Sequence, residues 1–484
     1  MFSSLSVSPM VVSFLGFLLA FTLIGISSVR QSRGTRHDYY LADSSIKPWL
    51  VGLSAVATNN SGYMFIGVIG YTYSTGLAAV WLMIGWILGD FLASMFVHAR
   101  LRRAAEGSDE VSYAGVLANW YGDRNLGLQR VIGLISLLFL LTYAGAQLVA
   151  GSKALEVLFG WPNWAGAVMG AIMVVLYCFA GGIRASIWTD AAQSFVMIAA
   201  MTTLLVIAVA ALGGLEGTIS RLDAVDGFLN WFPDELIVPG LAGGVLFAAS
   251  WLFAGLSVIG QPHIMIRFMA LEDVAEMRRA RAWYYLWYVV FYCMATGVGL
   301  VSRVYLADTG SFDAELALPT MALELLPPML VGLVLAGIFA ATMSTADSLI
   351  LSCSAAITHD LLPHRIEKTW LIKLATVLIT GCALSLALLN NASVFGLVVM
   401  AWSGLASAFA PLLLTRCLGW KFNQTESLVA VLTGLSVALF WRYLGWHDAV
   451  YEGLPGIIAG LLLLSLFNAL SVTGWMNGQL QKRW

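Results

Sequence analysis

The chain has 484 residues and a net charge of −2; 60% of its residues are hydrophobic and only 11% are charged. With a mean hydropathy of +0.83, this composition excludes a soluble globular protein and is typical of a protein that crosses a membrane many times. The nearly neutral charge points to no partner, and we expect no nucleic-acid binding. The five cysteines lie in or beside apolar runs without paired spacing, so we interpret them as small core residues.

Apolar runs of about 20 residues, the length that crosses a bilayer, recur along the whole chain. The first, near residues 10–28, is too long for the apolar part of a signal peptide and has no basic segment before it, so we interpret it as a retained helix. We expect thirteen spans, near residues 8–29, 49–74, 77–98, 131–157, 163–181, 187–213, 241–266, 283–307, 327–356, 370–390, 394–415, 427–445 and 454–473.

The distribution of Lys and Arg favours thirteen spans. With the N-terminus outside, all but four of the 25 basic residues fall in cytoplasmic segments; the exceptions are Arg221, Arg303 and Arg442 outside and Lys153 within the fourth span. The external loop after span six is instead acidic, with Glu216, Asp223, Asp226, Asp234 and Glu235. Twelve or fourteen spans would break this alternation, so the positive-inside rule predicts thirteen spans and a cytoplasmic C-terminus.

Spans two and seven are each interrupted by residues that weaken a helix. Span two contains a polar patch at 54–62, and span seven contains residues 254–257 followed by Gly260-Gln261-Pro262-His263. Irregular backbone at membrane depth persists only where protein or a water-filled cavity satisfies its polar groups. Because these spans begin two five-helix blocks, 2–6 and 7–11, the pattern indicates an inverted-repeat transporter with its substrate near the midplane. The alternative is that Gly and Pro only allow close helix packing.

Span nine carries a polar ribbon, residues 341–348, that includes the carboxylate of Asp347. Moving a carboxylate from water into a bilayer costs roughly 3 to 10 kcal/mol or more. The Ser and Thr hydroxyls of the ribbon and the nearby carbonyls are the oxygen ligands that a small hard cation prefers. We therefore interpret the ribbon as an ion site; a Ser/Thr contact between helices is the alternative.

Four motifs follow one another along these spans: Ser61-Gly62, residues 181–190 ending in Trp188-Thr189-Asp190, residues 260–263 with Arg267-Phe268-Met269-Ala270, and residues 341–345. In these motifs the chain resembles the sodium/solute symporter family over essentially its whole length, most of all the bacterial sodium/proline symporters. The resemblance implies an all-α polytopic membrane protein with a leucine-transporter-type inverted repeat, helices 2–6 and 7–11, one extra helix before it and two after. The single transmembrane domain, 1–484, would comprise an extra N-terminal helix and cytoplasmic loop (1–47), the first repeat (48–213), the second repeat (241–416) and two C-terminal helices (417–484).

The resemblance also implies a sodium site at the break in the second span. Its ligands would be the backbone carbonyls of Ala57, Asn60 and Ala341 and the hydroxyls of Ser344 and Thr345. A neutral site made only of oxygens suits this cation, and a broken helix frees carbonyls to supply them. We therefore expect Na⁺ as the bound ion.

A second cation site is implied by those family members that bind an ion through the aspartate of the Trp-Thr-Asp motif, here Asp190. The matching positions on the ninth span are Ser344, Asp347 and Ser348. Proline symporters have an aspartate where this chain has Asn59, and a serine where it has Asp347. Two nearby carboxylates in a low dielectric repel each other, so we expect either a cation between them or a proton on one of them.

The substrate pocket is implied between the two broken helices. Ser61, Tyr63, Tyr143 and Gln147 would form one side, and Ala254, Ser257 and Val258 the other. Ala254 and Val258 stand where proline symporters have a tryptophan and a tyrosine, so we expect a wider pocket with fewer rings on this side. The half-helix N-termini at such breaks favour a carboxylate.

Other polar and aromatic groups in the spans have simpler interpretations. We expect Asp90 to cap a helix or meet an interfacial arginine, Lys153 to extend to the external interface, and His263 to hydrogen-bond locally. The aromatic residues of 283–288 are typical of an interfacial belt.

Together these features predict a sodium-coupled symporter that imports a small organic solute, namely proline or another small amino or carboxylic acid, by alternating access. A symporter for a sugar or vitamin-like solute, a transporter-like membrane sensor and a channel are the alternatives. No nucleophile–base pair, phosphate loop or metal-ligand spacing predicts an enzyme. We expect a monomer in the bacterial cytoplasmic (inner) membrane.

Overall fold

The computed structural model describes residues 8–233, 235–306, 312–389 and 393–481, and these residues form helices joined by short connections. An isolated bridge between Ile46 and Leu271 is the one β interaction in these ranges. Asp234 of the predicted acidic loop and both chain termini lie outside the described residues. The helices are α1 (Pro9–Ser27), α2 (Arg36–Leu41), α3 (Pro48–Gly62), α4 (Ile69–Thr75), α5 (Val80–Glu106), α6 (Tyr113–Ala118), α7 (Leu126–Phe159), α8 (Asn163–Ala211), α9 (Gly214–Asp223), α10 (Leu241–Leu256), α11 (Pro262–Met269), α12 (Met277–Tyr305), α13 (Ala317–Leu325), α14 (Pro328–Ala355), α15 (Thr369–Leu389), α16 (Val394–Cys417), α17 (Gln424–Tyr443) and α18 (Gly453–Gln481).

Eleven helical segments within the described ranges are long and apolar enough to cross a membrane. Two of them, Pro48–Glu106 and Trp164–Ala211, have 59 and 48 residues, more than twice the about 20 residues that one span needs. The protein is therefore an all-helical membrane protein. The count of thirteen spans stays a prediction, as does the orientation of the termini.

The first predicted break lies at the end of α3. Ser61 is fully buried and has φ 50° and ψ 178°, a left-handed conformation that costs a non-glycine residue roughly 1–3 kcal/mol. A π-helical turn, Tyr63–Val68, follows before α4 begins. The interruption of span two therefore lies at the last two residues of the predicted polar patch.

The second predicted break lies between α10 and α11. A 3₁₀ turn, Ser257–Gly260, follows α10, and Gln261 is then extended with φ −97° and ψ 102° before Pro262 begins α11. A Cβ on Gly260 would lie 2.6 Å from the Ala406 Cα, so glycine lets α16 pack directly against the break.

A third irregularity divides α8 at Gly182, which has φ 56° and ψ −139°. A Cβ there would lie 2.4 Å from the Tyr39 carbonyl oxygen, so α2 crosses the kink at close range. The neighbouring Arg184 donates a hydrogen bond of 2.7 Å to Asp38. Burial alone would raise the pKa of Asp38, but this bond holds it below its ordinary value. On the other side of α2, the Tyr40 hydroxyl lies 2.9 Å from the Ser354 hydroxyl of α14.

The polar ribbon lies in the interior because α14 is surrounded by other helices. It packs against α1, α3, α7 and α8, and 83% of its most apolar stretch is buried, against 22% for the segment that contains α1. Residues 341–348 are all buried. The fold therefore brings a run of hydroxyls and one carboxylate against the broken helix α3.

Candidate functional site

The first cluster forms where α14 meets α3. The Ser344 hydroxyl donates to the carbonyls of Ala57 and Ala341, at 3.1 Å each. The Thr345 hydroxyl lies 2.8 Å from the Thr58 carbonyl and 3.3 Å from the Ala341 carbonyl. The structure thus brings together four of the five predicted sodium ligands, all of them fully buried.

The fifth predicted ligand, Asn60, is placed differently. Its carbonyl accepts the Tyr63 amide N–H at the end of α3, whereas the Thr58 carbonyl lies beside Thr345. Sequence reasoning missed Thr58 because a motif does not show which carbonyl a helix turns towards its neighbour. The cluster fits a sodium ion in its donor chemistry, since carbonyl and hydroxyl oxygens converge there without charge.

A second cluster lies one turn further along α14 and contains two carboxylates. Asp190 accepts a hydrogen bond of 2.7 Å from the Ser54 hydroxyl. Asp347 accepts bonds of 3.0 Å from Ser186 and 2.9 Å from Ser348. Both carboxylates are fully buried, so α8 and α14 meet at Asp190, Asp347 and Ser348; that these residues hold a cation stays a prediction.

The guanidinium of Arg267 lies between these carboxylates. Its Nη2 atom is 3.3 Å from Asp190 Oδ2 and 4.0 Å from Asp347 Oδ1, and its Nη1 atom donates to the His263 carbonyl at 2.7 Å. It also donates to Ser348. Arg267 was counted among the cytoplasmic basic residues just beyond the span predicted at 241–266, whereas its side chain is fully buried. A buried guanidinium needs acidic partners, and Asp190 and Asp347 supply them.

One positive charge does not balance the second cluster. With all three groups ionised, two carboxylates and one guanidinium leave a formal charge of −1. Asp190 Oδ1 and Asp347 Oδ2 are buried and have no hydrogen-bond partner in the part of the chain that is described. Ser344, the fourth predicted member, directs its hydroxyl to the first cluster instead, while its carbonyl accepts from Ser348 at 2.6 Å. The two clusters therefore share one helix turn.

Residues of the predicted substrate pocket contact one another on its α3 side. The Tyr143 hydroxyl donates to the Ser61 hydroxyl at 3.3 Å, and Gln147 Oε1 accepts the Gly62 amide N–H at 2.8 Å. The Tyr63 hydroxyl and Gln147 Nε2 are buried without a partner among the described residues. These two atoms can therefore form hydrogen bonds with a ligand beside the break in α3.

Aromatic rings from other helices lie on the α10 side of the predicted pocket. The indole N–H of Trp402 donates to the Ala254 carbonyl at 3.0 Å, and the Tyr451 hydroxyl donates to the Ser257 hydroxyl at 3.0 Å. The Trp86 ring lies 5.5 Å from the Tyr63 ring and 5.4 Å from the Trp402 ring. These rings come from other helices, whereas Ala254 and Val258 themselves supply none, so the expectation of a wider pocket on this side stays a prediction. Both residues are fully buried.

His263 does not make the local hydrogen bonds that were expected. Its ring is fully buried and meets the edge or face of Tyr143 and Trp402, at centroid distances of 5.5 and 6.3 Å. Neither ring nitrogen has a partner within the described ranges. The imidazole therefore lies between the two sides of the predicted pocket.

The expectations for Asp90 and for Tyr284 of the aromatic run are corrected. Asp90 accepts from the Tyr284 hydroxyl at 2.6 Å, and that hydroxyl accepts from Asn59 at 2.5 Å. Asp90 thus meets a tyrosine and not an arginine, and Tyr284 belongs to the interior because α12 packs along α3.

Lys153 forms an ion pair of 2.5 Å with Glu315. Burial alone would raise the pKa of Glu315, but this pair lowers it.

The sequence can now be compared with known proteins. The sequence profile of the sodium:solute symporter family matches residues 39–434. The high-affinity proline transporter PutP of Bacillus subtilis is 29% identical over 445 residues, covering 90% of this chain and 92% of that protein. The sodium/proline symporter of Escherichia coli is 29% identical, with 96% and 93% covered, and that of Staphylococcus aureus is 30% identical, with 94% and 91% covered. The resemblance found in the motifs is confirmed.

Solved structures share the fold at lower identity. A sodium-coupled sialic acid symporter, described in an outward-open state with a novel sodium site, superimposes with a TM-score of 0.80 at 18% identity and covers 96% of this chain and 97% of its own. The protein MhsT, in complex with L-phenylalanine, gives a TM-score of 0.56 at 15% identity, and the match covers 88% of this chain and 98% of its own.

Proposed function

Because this chain belongs to the sodium:solute symporter family, we propose that it is a sodium-coupled symporter that imports a small amino or carboxylic acid. Proline is the first candidate, since relatives of 29–30% identity over nearly the whole chain are named proline transporters. The observation that carries the proposal is the convergence of Ser344 and Thr345 on the carbonyls of the broken helix α3.

The sodium ion would be held by the carbonyls of Ala57 and Ala341 with the hydroxyls of Ser344 and Thr345, and by Asn60 if its carbonyl turns inward. Bound sodium would supply a positive charge at the junction of α3 and α14. The Ser344 hydroxyl now donates to the carbonyls of Ala57 and Ala341, and the Thr345 hydroxyl donates to those of Thr58 and Ala341, so both need only rotate their hydrogens away to present lone pairs. The contacts between α3 and α14 would then be hydrogen bonds in the protein without sodium and contacts through the ion in the protein with sodium bound.

The substrate would lie between the two breaks. The Tyr63 hydroxyl and Gln147 Nε2 are donors without partners in the described residues, and donors beside a broken helix favour a carboxylate. Tyr143, Trp86 and Trp402 supply an apolar wall for the remainder of the solute. A small acid with a compact apolar body fits these two donors and this apolar wall.

The carboxylate cluster supports a second coupling ion. Its formal charge of −1 and its two unpartnered oxygens favour one further sodium ion or proton beside Asp190 and Asp347. Transport would then move more positive charge than a single sodium ion carries. We place the N-terminus outside and the C-terminus inside a bacterial cytoplasmic membrane, with the protein acting as a monomer.

The test is solute uptake into proteoliposomes driven by a sodium gradient, with labelled proline, other amino acids, carboxylates and sugars. Ser344→Ala and Thr345→Ala should each raise the sodium concentration for half-maximal uptake by about tenfold, since each removes an ion contact worth about 1.5 kcal/mol. Thr342→Ala is the matched control, because its hydroxyl bonds to the Phe339 carbonyl of its own helix and to no other group in the described ranges. Uptake without sodium, or equal sodium curves for all three variants, would refute the proposal.

A further inference from the structure

Asp90 is a buried carboxylate to which the proposed function gives no role. It lies within α5 and is fully buried. Its Oδ2 atom accepts from the Tyr284 hydroxyl at 2.6 Å, while Oδ1 has no hydrogen-bond partner within the described ranges. No basic group pairs with Asp90 among the residues that the structure describes. A buried carboxylate without a counter-charge is much more costly than a neutral carboxyl group, so burial favours a proton on Asp90.

The helices that pack most closely around Asp90 supply hydroxyl groups but no charge. α10 contains no titratable residue, and it packs so tightly along α5 that a Cβ on Gly89 would overlap the Leu252 carbonyl oxygen. α12 brings tyrosine hydroxyls to the other side of the carboxyl group. These tyrosines are Tyr284, Tyr285 and Tyr288.

Titratable groups on the other elements packed against α5 are engaged by other partners. Arg267 pairs with Asp190, Arg416 lies over the Tyr121 ring, Glu276 pairs with Arg279, the Tyr113 hydroxyl donates to the Ile259 carbonyl, and the His263 ring lies against Tyr143 and Trp402. Arg281 of α12 is partly exposed and acts on Tyr285. The charge of an ionised Asp90 would therefore stay uncompensated.

A file of polar side chains leads from Asp90 towards the end of α5 that the charge distribution predicts to be cytoplasmic. Ser94 and His98 follow at intervals of four residues, which places all three on one face of the helix. Both are fully buried. The Tyr285 hydroxyl lies beside both Asp90 and Ser94. Each interval spans about 6 Å along the helix axis, a distance that a hydroxyl group or one water molecule bridges.

His98 is suited to pass a proton along this file. Its ring stacks on Phe268 at a centroid distance of 3.7 Å, and neither ring nitrogen has a hydrogen-bond partner in the described part of the chain. One turn further on, Arg102 donates to the Leu271 carbonyl at 2.7 Å and so leaves the imidazole without a bond from its own helix. A neutral imidazole accepts a proton at one nitrogen and releases one from the other.

We propose that Asp90 binds a proton, which reaches it from the cytoplasmic side through His98 and Ser94. Oδ1 carries the bound proton, and Oδ2 accepts from Tyr284. When the proton leaves, Tyr284 donates to a charged carboxylate, and such a bond is about twice as strong as one between neutral groups. The Tyr284 oxygen in turn accepts from Asn59 of α3. Loss of the proton therefore holds α3 more firmly beside its break.

Infrared spectroscopy on the purified full-length protein in sodium-free buffer tests for the bound proton. At neutral pH the wild type should show the C=O stretching band of a protonated carboxyl group, which shifts in D₂O and which Asp90→Asn lacks. Asp109→Asn, the same change at an exposed position after α5, should keep the band. Identical bands in the wild type and Asp90→Asn would overturn the proposal. So would a band that sodium chloride removes and choline chloride does not, because Asp90 would then hold sodium.

A second variant keeps the test decisive if Asp90→Asn fails to fold. Tyr284→Phe removes the donor to Oδ2 and keeps the carboxyl group. It should move the band to higher frequency without deleting it, because a hydrogen bond weakens the C=O bond that accepts it. An unshifted band would show that the band does not belong to Asp90 and would overturn the proposal.

The rate at which the band shifts after mixing with D₂O tests the path. His98→Phe keeps a ring against Phe268 but has no nitrogen, so it should slow the shift at least about tenfold. His364→Phe, the same change at an exposed histidine, should leave the rate unchanged. Equal rates in the wild type and His98→Phe would overturn the path through His98.

Sodium-driven uptake into proteoliposomes tests the link to α3. Wild-type uptake should fall as the internal pH is raised, because the charged Asp90 holds α3 through Tyr284 and Asn59. Asp90→Asn stays neutral and should lose this fall; the same fall in both proteins would overturn the link. If no solute is taken up with sodium but the infrared results hold, the proposed function fails and the proton site stands.

Discussion

Replacing Arg267 with glutamine tests whether the buried carboxylates depend on its charge. At an effective dielectric constant of about 20, the distances of 3.3 and 4.0 Å to Asp190 and Asp347 correspond to attractions of about 5 and about 4 kcal/mol. Desolvation of the three groups offsets much of this. Removing one partner of a buried ion pair nevertheless destabilises a protein by about 3–5 kcal/mol, because a charge stays behind unpaired. We expect Arg267→Gln to lose stability in this range.

The same reasoning predicts partial recovery by a second substitution. Arg267→Gln leaves a formal charge of −2, and adding Asp190→Asn returns it to the −1 of the wild type. The double variant should therefore unfold at a higher temperature than Arg267→Gln alone. Sodium chloride should also stabilise Arg267→Gln more than it stabilises the wild type, relative to choline chloride, because sodium ions can take over part of the missing charge.

The measurement is thermal unfolding of the purified protein in detergent, in sodium chloride and in choline chloride. Arg416→Gln is the matched control, since Arg416 is also buried but lies over the Tyr121 ring, away from Asp190. Asp190→Asn should not recover stability in that background. If Asp190→Asn lowers the unfolding temperature as much in Arg267→Gln as in Arg416→Gln, the carboxylates and the guanidinium do not form one electrostatic unit.

Three further predictions concern coupling, pH and the pocket wall. Asp190→Asn should lower the charge moved per solute in proteoliposomes or shift the pH dependence of uptake; no change in either would exclude a second ion there. Burial would raise the pKa of Glu110, but bonds from His359 and Arg365 hold it at about 2. The stabilisation that ionised Glu110 gives the folded protein is therefore complete above pH 4.5 and is lost as the pH falls towards 2. The difference in melting temperature between the wild type and Glu110→Gln should persist at pH 5 and shrink below pH 4.5. A difference that already shrinks at pH 5 would contradict this. Trp402→Phe removes the bond of about 1 kcal/mol that holds the ring against the Ala254 carbonyl, so it should raise the solute concentration for half-maximal uptake by up to about fivefold; unchanged uptake would remove Trp402 from the pocket.

Local features of the chain were predictable because they depend on neighbouring residues. The span predicted at 394–415 is Val394–Cys417 in the structure, and that at 370–390 is Thr369–Leu389. Hydropathy sets these limits. The breaks in spans two and seven were also predictable, one from Ser61-Gly62 and one from the residues around Gln261, since these residue types weaken a helix wherever they occur.

Contacts between distant residues were not predictable in the same way. Arg267 is 77 residues from Asp190, and Trp402 is 148 residues from Ala254. The contact of Trp402 with Ala254 depends on how α16 packs on α10. The periodicity of the sequence does not show that packing. A buried guanidinium must be compensated by acidic groups, but the span predicted at 241–266 ends before Arg267, so its burial was not expected. No such rule applies to Trp402.

The crossing of α2 over the Gly182 kink has a mechanical consequence. This short helix is bonded to the first predicted repeat through Asp38 and Arg184 and to the second through Tyr40 and Ser354. It therefore connects the two halves. Any rotation of one half against the other must bend α2 or break one of these two hydrogen bonds, so the barrier to that rotation is set partly outside the ion and substrate sites.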